Sequence, residues 1–514
     1  MHPDGLAQEA SEKIANNWIL QFLEKDTREP LAKFMRGHFK GFDVNEFSIL
    51  ARGSHNIVLR LSCKSYDGVV TRFSQPGAVV FPEEKHTNEL AVIRFIMDQT
   101  AIPVPLILHS GTKAESPLNL SPCMVTEYID HETKMYDALT TPNSPPEQRG
   151  ILNPTIHPDT LSTLYKQMAH IVLQLSIPSL PRIGSLTQLD DFTWNVTRRP
   201  LPLNMNELVR LAGLPQSTLP SLDTTYQTSS SYLESLADLH ITHLTHQRND
   251  AILSADDCRR KYIARYLFRK LAREKRLTDP EYEAGPFKLW CDDFHPSNVL
   301  INKHNTIVGV VDWEFTYAAP VEFSHAPPWW LLVQRAEGWD GGIEEWSGVF
   351  GSRLDTFLEG MRSCEDVMIG QGRMDETQRL SGPMLRSWES GDFWIVYAAM
   401  NSFAFDVVFW EKIDERFFGR LGDGEEGWKE RVQLLDDGER AEMEELVGRK
   451  VEEMETRVLE WDPDEYTLAA QREWESRWEE VDKEEVAEHV AEEAAKEKEK
   501  RWSTRAKRIS YYFS

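Results

Sequence analysis

The 514-residue sequence predicts an α+β protein, with strands concentrated in about the first 130 residues and near residues 299–311, and helices in most of the remainder. The strand prediction rests on short runs rich in β-branched residues, separated by small or polar loops. The helix prediction rests on apolar residues that recur at three- and four-residue spacing, as they do from Leu161 to Leu175. Both patterns together indicate a mixed protein with a large core.

The first strand pattern encloses a loop of small residues. Residues 47–50 and 57–61 are the strands, and the loop between them contains Gly53, Ser54 and Asn56. Backbone N–H groups of such a loop are able to lie over phosphate groups. An ordinary hairpin turn is the alternative interpretation of the same residues.

The next strand and the helix after it carry opposite charges. Arg72 lies in the strand at residues 69–73, and Glu89 lies at the edge of the apolar face of a helix at residues 83–98. A carboxylate beside a buried face needs a cation, and Arg72 is the nearest candidate in this pattern. The alternative is an unrelated surface arginine and glutamate.

The most informative stretch is residues 288–313, where two apolar runs flank a short polar turn. This pattern predicts a β-hairpin, which places Asn298 at the start of one strand beside Asp312 at the end of the other. Asp293 lies just upstream on the connecting loop. Two oxygen ligands suit Mg²⁺, and the remaining carboxylate is placed to accept a proton from a hydroxyl group. A hairpin whose acidic residues only occupy turn positions is the alternative.

This stretch resembles the catalytic core of aminoglycoside phosphotransferase-like kinases, a group that includes the choline kinases, and in particular their fungal branch. In that branch an H-G-D-x-H-P-x-N loop is followed by I-D-W-E. Cys291 and Asp292 replace the usual His and Gly, which puts the usual hydrogen bonding within the loop in question. The residues that match are Asp293, His295, Pro296, Asn298, Asp312, Trp313 and Glu314.

The resemblance implies a two-lobed, protein-kinase-like fold. Residues 45–130 would form an N-lobe with a five-stranded antiparallel sheet and one helix, and residues 131–422 a mainly helical C-lobe with the catalytic loop. Backbone groups around Glu127 and Ile129 would then meet the adenine of ATP. Arg72 would take the place of the lysine that pairs with the helix glutamate and holds the nucleotide phosphates.

Two function classes follow from the resemblance. The first is an ATP- and Mg²⁺-dependent phosphotransferase that acts on a hydroxyl group of a small molecule. The second is a pseudoenzyme that binds nucleotide or a protein partner without turnover, for which Arg72 and Cys291 are the only support. A scaffold built on acidic segments has only composition behind it.

The amino-acid composition narrows the class of protein and the cellular compartment in which it is expected. The net charge is −26, with 83 acidic and 57 basic residues, so the basic face of a nucleic-acid-binding protein is not expected. The 5 cysteines lack metal-ligand spacing and indicate reduced thiols. Neither an apolar leader nor a transmembrane segment is evident, and a cytoplasmic protein is expected.

Two further regions carry no catalytic pattern. Residues 200–228 are rich in Pro, Ser, Thr and Leu and are interpreted as an irregular segment on the substrate side. Aromatic residues at 387–394 are assigned to core packing first and to a substrate wall second. Neither region identifies the phosphate acceptor.

The two ends of the chain extend beyond the predicted lobes. Residues 1–44 are interpreted as a helical extension with a break at Pro30. Residues 423–514 form a charged, helical or partly disordered tail, whose last helix is expected at 467–500. This tail is expected to matter less for nucleotide binding than the lobes do, and it could bind a protein partner. The short basic and aromatic end at 501–513 could touch a membrane or a partner.

Overall fold

A computed structural model describes residues 1–38, 44–64, 67–142, 150–422 and 426–478. The strands are β1 (Val44–Arg52), β2 (Asn56–Cys63), β3 (Val69–Ser74), β4 (Ile107–Gly111), β5 (Cys123–Glu127), β6 (Thr133–Lys134), β7 (Ser185–Asp190), β8 (Thr193–Arg198), β9 (Lys288–Cys291), β10 (Val299–Ile301), β11 (Ile307–Val310) and β12 (Thr316–Ala319). The helices are α1 (Gly5–Leu20), α2 (Lys25–Gly37), α3 (Pro82–Gln99), α4 (Met135–Leu139), α5 (Pro158–Ser176), α6 (Leu203–Ala212), α7 (Ser229–His246), α8 (Ala255–Arg273), α9 (Val321–His325), α10 (Gly342–Gly370), α11 (Ser381–Ser390), α12 (Asp392–Met400), α13 (Phe405–Val408), α14 (Asp414–Phe418), α15 (Asp437–Glu453) and α16 (Glu465–Trp478).

The N-lobe contains the expected five-stranded antiparallel sheet, in the order β1-β2-β3-β5-β4. Ile57, Leu59 and Leu61 alternate along β2, so their side chains share one face of the sheet and are buried there. Helices α1 and α2 contribute side chains to the same core. The α+β fold class and the antiparallel N-terminal sheet are therefore confirmed.

The predicted helix break at Pro30 is wrong. Helix α2 continues through Pro30, and the chain departs from regular α-helix at residues 21–24 instead. A proline within a helix removes one backbone hydrogen bond. Leu31 and Met35, which follow it on the same helix, are fully buried in the N-lobe core, and their packing offsets this loss.

The C-lobe is mainly helical, and α5 with α10 and α7 with α8 form its most extensive helix pairs. The predicted hairpin is present as β10 and β11, with Val299 opposite Val310. Strand β9 pairs with β12, so the loop that joins β9 to β10 is held between two short sheets. This arrangement fixes the position of Asp293.

The interpretation of residues 200–228 as irregular is wrong in part, because they contain α6. Its buried residues Met205, Leu208 and Ala212 follow helical spacing, and Gly213 ends the helix in the left-handed conformation at φ 66°. These signals are present in the sequence, but the surrounding Pro, Ser and Thr residues concealed them. Helix α6 contributes to the site described below.

The described part of the C-terminal region packs on both lobes. Helix α15 lies against α8, and Trp428 and Trp461 are buried. Helix α16 lies against α1, where the backbone N–H of Gly77 donates to Thr467 Oγ1 at 3.0 Å. The rest of the helix expected at 467–500, and the basic aromatic end, lie outside the described residues.

All five cysteines are free thiols. Within the described ranges, every helix is too short or too polar to cross a membrane.

Truncation after Glu453 is expected to lower the melting temperature by several degrees, because it removes α16 and exposes apolar residues of α1 and the N-lobe core. Truncation after Trp478 is the matched control, since it removes only residues outside the described part. Differential scanning calorimetry of both chains measures the effect. Equal melting temperatures would show that the docking of α16 contributes little.

Candidate active site

The loop that follows β9 is stabilised by its own hydrogen bonds. Asn298 Nδ2 donates to the backbone oxygen of Asp293 at 2.8 Å, and the backbone N–H of Asn298 donates to the oxygen of His295 at 3.0 Å. His295 Nε2 lies 3.4 Å from Asp293 Oδ1. The Asp293 carboxylate remains partly exposed, at 21% for its side chain. The loop therefore presents an accessible carboxylate on an ordered backbone.

Cys291 and Asp292, which replace the usual His and Gly of this loop, are both buried. The Asp292 carboxylate accepts hydrogen bonds from the backbone N–H of Leu203 at 2.9 Å and from Trp290 Nε1 at 2.7 Å. Tyr317 adds a third donor, its hydroxyl group, at 3.1 Å. Burial raises the pKa of Asp292 to about 7, although these donors oppose the rise. Asp292 and Asp293 thus occupy different environments despite being neighbours in the sequence.

Three carboxylates meet beside this loop. Asp293, Asp312 and Glu314 each offer one oxygen within 4.8 Å of the others. The hairpin brings Asn298 to the same place, because the N–H of Val311 donates to the oxygen of Asn298 at 2.9 Å. Burial and the nearby Glu314 raise the pKa of Asp312 to about 7. Such closely spaced oxygen donors suit a divalent cation.

The backbone at Asp312 is strained. Its φ of 69° and that of Phe315, at 57°, lie in the left-handed region, which costs a non-glycine residue roughly 1–2 kcal/mol. Trp313 between them is buried, and its backbone N–H donates to Glu89 Oε1 at 3.2 Å. Strain that the surrounding packing maintains is typical of functional sites.

The structure brings Arg72 and Glu89 together as an ion pair. The same guanidinium group also contacts Asp312, with Arg72 Nη1 2.8 Å from Oδ1. Burial opposes the charge on Arg72, but the carboxylates outweigh it and raise its pKa above the usual range. Arg72 therefore links α3 to one of the predicted metal ligands.

A second buried ion pair lies under the small-residue loop, and sequence reasoning missed it. Lys85 of α3 pairs with Glu314, and both side chains are at most 2% exposed. Asn56 joins them, because it accepts from Lys85 Nζ at 3.0 Å and donates to Glu314 Oε2 at 3.0 Å. Lys85 lies one helical turn before Glu89, so local spacing would have paired it with Glu89 rather than with Glu314.

His55 extends this cluster to α6. Its Nδ1 lies 2.9 Å from Glu314 Oε1, and its Nε2 lies 3.6 Å from Glu207 Oε1. Burial favours the neutral ring, but the two carboxylates outweigh it and raise the pKa of His55 to about 10. His55 is therefore protonated near neutral pH.

The remaining predicted residues lie in the loop between β1 and β2 and at the end of β5. The N–H of Gly53 donates to the oxygen of Asn56 at 2.8 Å and closes the loop, while Ser54 is exposed. The backbone N–H of Glu127 donates to the oxygen of Leu106 at 3.0 Å. The backbone oxygen of Ile129 contacts His131 Nδ1 at 2.8 Å. Its side chain packs closely on Gly309, where an added Cβ would lie 2.5 Å from Ile129 Cδ1.

Comparison with known proteins gives a family match. Residues 47–334, more than half of the chain, match the model of the phosphotransferase enzyme family (APH). No curated protein sequence matches the chain significantly.

Solved structures that share similarity are distant in sequence. An aminoglycoside phosphotransferase APH(4)-Ia with AMP-PNP and hygromycin B is 13% identical, with a TM-score of 0.38, over 74% of this chain and 99% of that one. Macrolide 2'-phosphotransferase type I is 12% identical, with a TM-score of 0.37, over 80% and 98%. Plasmodium vivax ethanolamine kinase is 12% identical, with a TM-score of 0.34, over 77% and 83%.

Proposed function

The chain belongs to the phosphotransferase enzyme family, and we propose that it transfers the γ-phosphate of ATP to a hydroxyl group of a small molecule with Mg²⁺ as cofactor. The observation that carries this proposal is the group of Asp293, Asp312 and Glu314 beside the Arg72–Glu89 pair. The Asp293 loop and the Asp312-Trp313-Glu314 motif also support a place in the fungal branch of the family. The free thiols support a cytoplasmic location.

Charge balance supports the requirement for a metal. In this cluster five carboxylates, those of Glu89, Glu207, Asp293, Asp312 and Glu314, surround four cations. The cations are Arg72, Lys85, protonated His55 and Arg210. With Asp312 ionised the excess is one negative charge, and burial together with the neighbouring Glu314 raises the pKa of Asp312 to about 7. A divalent cation would favour the ionised form of Asp312 and offset the charge of the triphosphate of ATP. Asp312 and Asn298 are the proposed ligands, because Lys85 and His55 already hold Glu314.

The proposed roles of the protein groups follow from their exposure. Asp293 orients the acceptor hydroxyl and accepts its proton, because its carboxylate is accessible and its backbone is held by Asn298. Arg72 contacts the nucleotide phosphates while Glu89 holds its guanidinium group. The loop with Gly53, Ser54 and Asn56 covers the phosphates, and backbone groups at Glu127 and Ile129 meet the adenine.

A pseudoenzyme is the second candidate. The ion pair between Arg72 and Asp312 favours it, because an arginine that holds a proposed metal ligand competes with the metal. Such a protein would bind nucleotide or a partner, through the acidic C-terminal region for example, without turnover. A screen of hydroxylated metabolites that records ATP consumption distinguishes the two.

Asp312→Ala is expected to abolish the Mg²⁺ dependence of ATP binding and to weaken binding at least about tenfold, because a metal ligand is lost. Isothermal titration calorimetry with ATP, with and without Mg²⁺, measures this. Asp340→Ala, which removes an exposed carboxylate outside the cluster, is the matched control. Equal affinities for Asp312→Ala and wild type would contradict the metal role.

Arg72→Met is expected to weaken both stability and ATP binding, because it leaves Glu89 buried without its cation. The double variant Arg72→Met with Glu89→Gln separates the two effects. It should regain most of the melting temperature, since no unpaired charge remains at this pair, but not the affinity for ATP. Recovery of ATP affinity in the double variant would show that Arg72 has only a structural role.

A further inference from the structure

A cavity of about 250 Å³ lies in the C-lobe beside the catalytic loop. It is bounded by α6, β9, residues 324–330 and α12. Its wall is mostly apolar, and the aromatic residues that line it are Trp290, Phe294, Trp329, Trp330, Phe393, Tyr397 and Phe403. Of the aromatic residues at 387–394, which were assigned to core packing first and to a substrate wall second, Phe393 lines this cavity.

The cavity is next to the proposed general base. Asp292 and Phe294, the two neighbours of Asp293 in the chain, both line it. The ring of His295, which lies 3.4 Å from Asp293, has its centroid 6.4 Å from that of Trp329 in the wall. The cavity therefore lies beside the loop that carries Asp293.

The carboxylates that line the cavity are already hydrogen-bonded. Asp292 accepts from Leu203 and Trp290, Glu207 is paired with His55 and Arg210, and Glu337 accepts from the Tyr397 hydroxyl. In the described part of the chain, cations pair with Glu207 alone of these three, so Asp292 and Glu337 could offset two positive charges and Arg335 already supplies one. An amino sugar with several ammonium groups would exceed this balance.

The cation in the wall points to the same conclusion. The guanidinium of Arg335 lies over the Trp329 ring at 4.1 Å, and its Nη1 donates to Asn401 Oδ1 at 2.9 Å. This group already occupies one ring face and would repel a ligand with several positive charges, whereas a flat apolar ligand would pack against the aromatic surface beside it.

We propose that the phosphate acceptor is a flat, mainly apolar alcohol that carries an aromatic or similar ring system and no more than one positive charge. This proposal rests on the proposed phosphotransferase function and assigns the substrate class of the same site. The ring system occupies the aromatic cavity, and the hydroxyl group extends past Phe294 towards Asp293.

The test uses 2-(2-naphthyl)ethanol as the aromatic alcohol and kanamycin as the polycation, each titrated by calorimetry into the full-length chain. We expect the naphthyl alcohol to bind at least about tenfold more tightly than kanamycin, as burial in an aromatic pocket predicts. Trp329→Ala removes one wall, and Met400→Trp fills the cavity from α12. Each should weaken binding of the alcohol by about tenfold or more.

Trp339→Ala is the matched control, because Trp339 is also half-buried but does not line the cavity. It should leave alcohol binding unchanged, and all three variants should bind MgATP like wild type. Tighter binding of kanamycin, absence of alcohol binding, or alcohol binding that survives Met400→Trp would overturn the proposed class. Failure of the wild-type protein to bind MgATP would instead overturn the proposed function, whether or not the naphthyl alcohol binds.

Discussion

Asp293→Asn is expected to reduce phosphotransfer at least about a hundredfold while MgATP binding stays near the wild-type value. The substitution keeps the shape of the side chain and removes the charge that would accept the hydroxyl proton. Asp293 contacts His295 and lies at the cluster of carboxylates, but the proposed metal ligands are Asn298 and Asp312. Turnover is measured with an identified acceptor, or as background ATP hydrolysis, and affinity is measured by calorimetry.

Asp292→Asn is the control for this experiment, and the structure alters what it should do. The Asp292 carboxylate accepts hydrogen bonds from Leu203 N–H and Trp290 Nε1–H. An asparagine amide would turn its own N–H groups towards one of these two donors, and that hydrogen bond would be lost. A lower melting temperature with retained turnover in the folded fraction is therefore expected. Equal losses of turnover in the two variants would show that the wrong aspartate has been assigned. No change of turnover in either variant would support the pseudoenzyme.

The parts of the site that could be predicted are close together in sequence or follow a simple pairing rule. Asp293, Asn298 and Asp312 lie on one loop and hairpin, so a turn signal was sufficient to place them together. Arg72 and Glu89 lie on a strand and the next helix, and a carboxylate beside a buried face requires a cation.

The part that was missed depends on contacts across the whole chain. Glu207 reaches His55 from α6, and Glu314 meets Lys85 from more than two hundred residues away in sequence. Local spacing does not encode such contacts, and the composition of residues 200–228 concealed the helix that supplies Glu207. The docking of α16 on α1 is long-range in the same sense.

The largest expected effect on stability is that of Lys85→Met, which should lower the free energy of unfolding by about 3–5 kcal/mol. Lys85 and Glu314 are both buried, and Glu314 would lose its closest cation. Burial opposes the charge of Glu314, but Lys85, His55 and Arg72 together lower its pKa well below the usual range. An unpaired carboxylate at this position would therefore be costly.

Glu314→Gln should cost a similar amount, because it leaves Lys85 and protonated His55 near each other without the carboxylate that they share. The double variant Lys85→Met with Glu314→Gln should regain most of the loss, since neither buried charge of the pair remains. Urea denaturation of the two single variants and the double variant measures the coupling. Lys25→Met is the matched control, because Lys25 pairs with Glu29 on the surface, where both side chains are more than half exposed. Single losses that simply add in the double variant would show that Lys85 and Glu314 do not stabilise the fold as a pair.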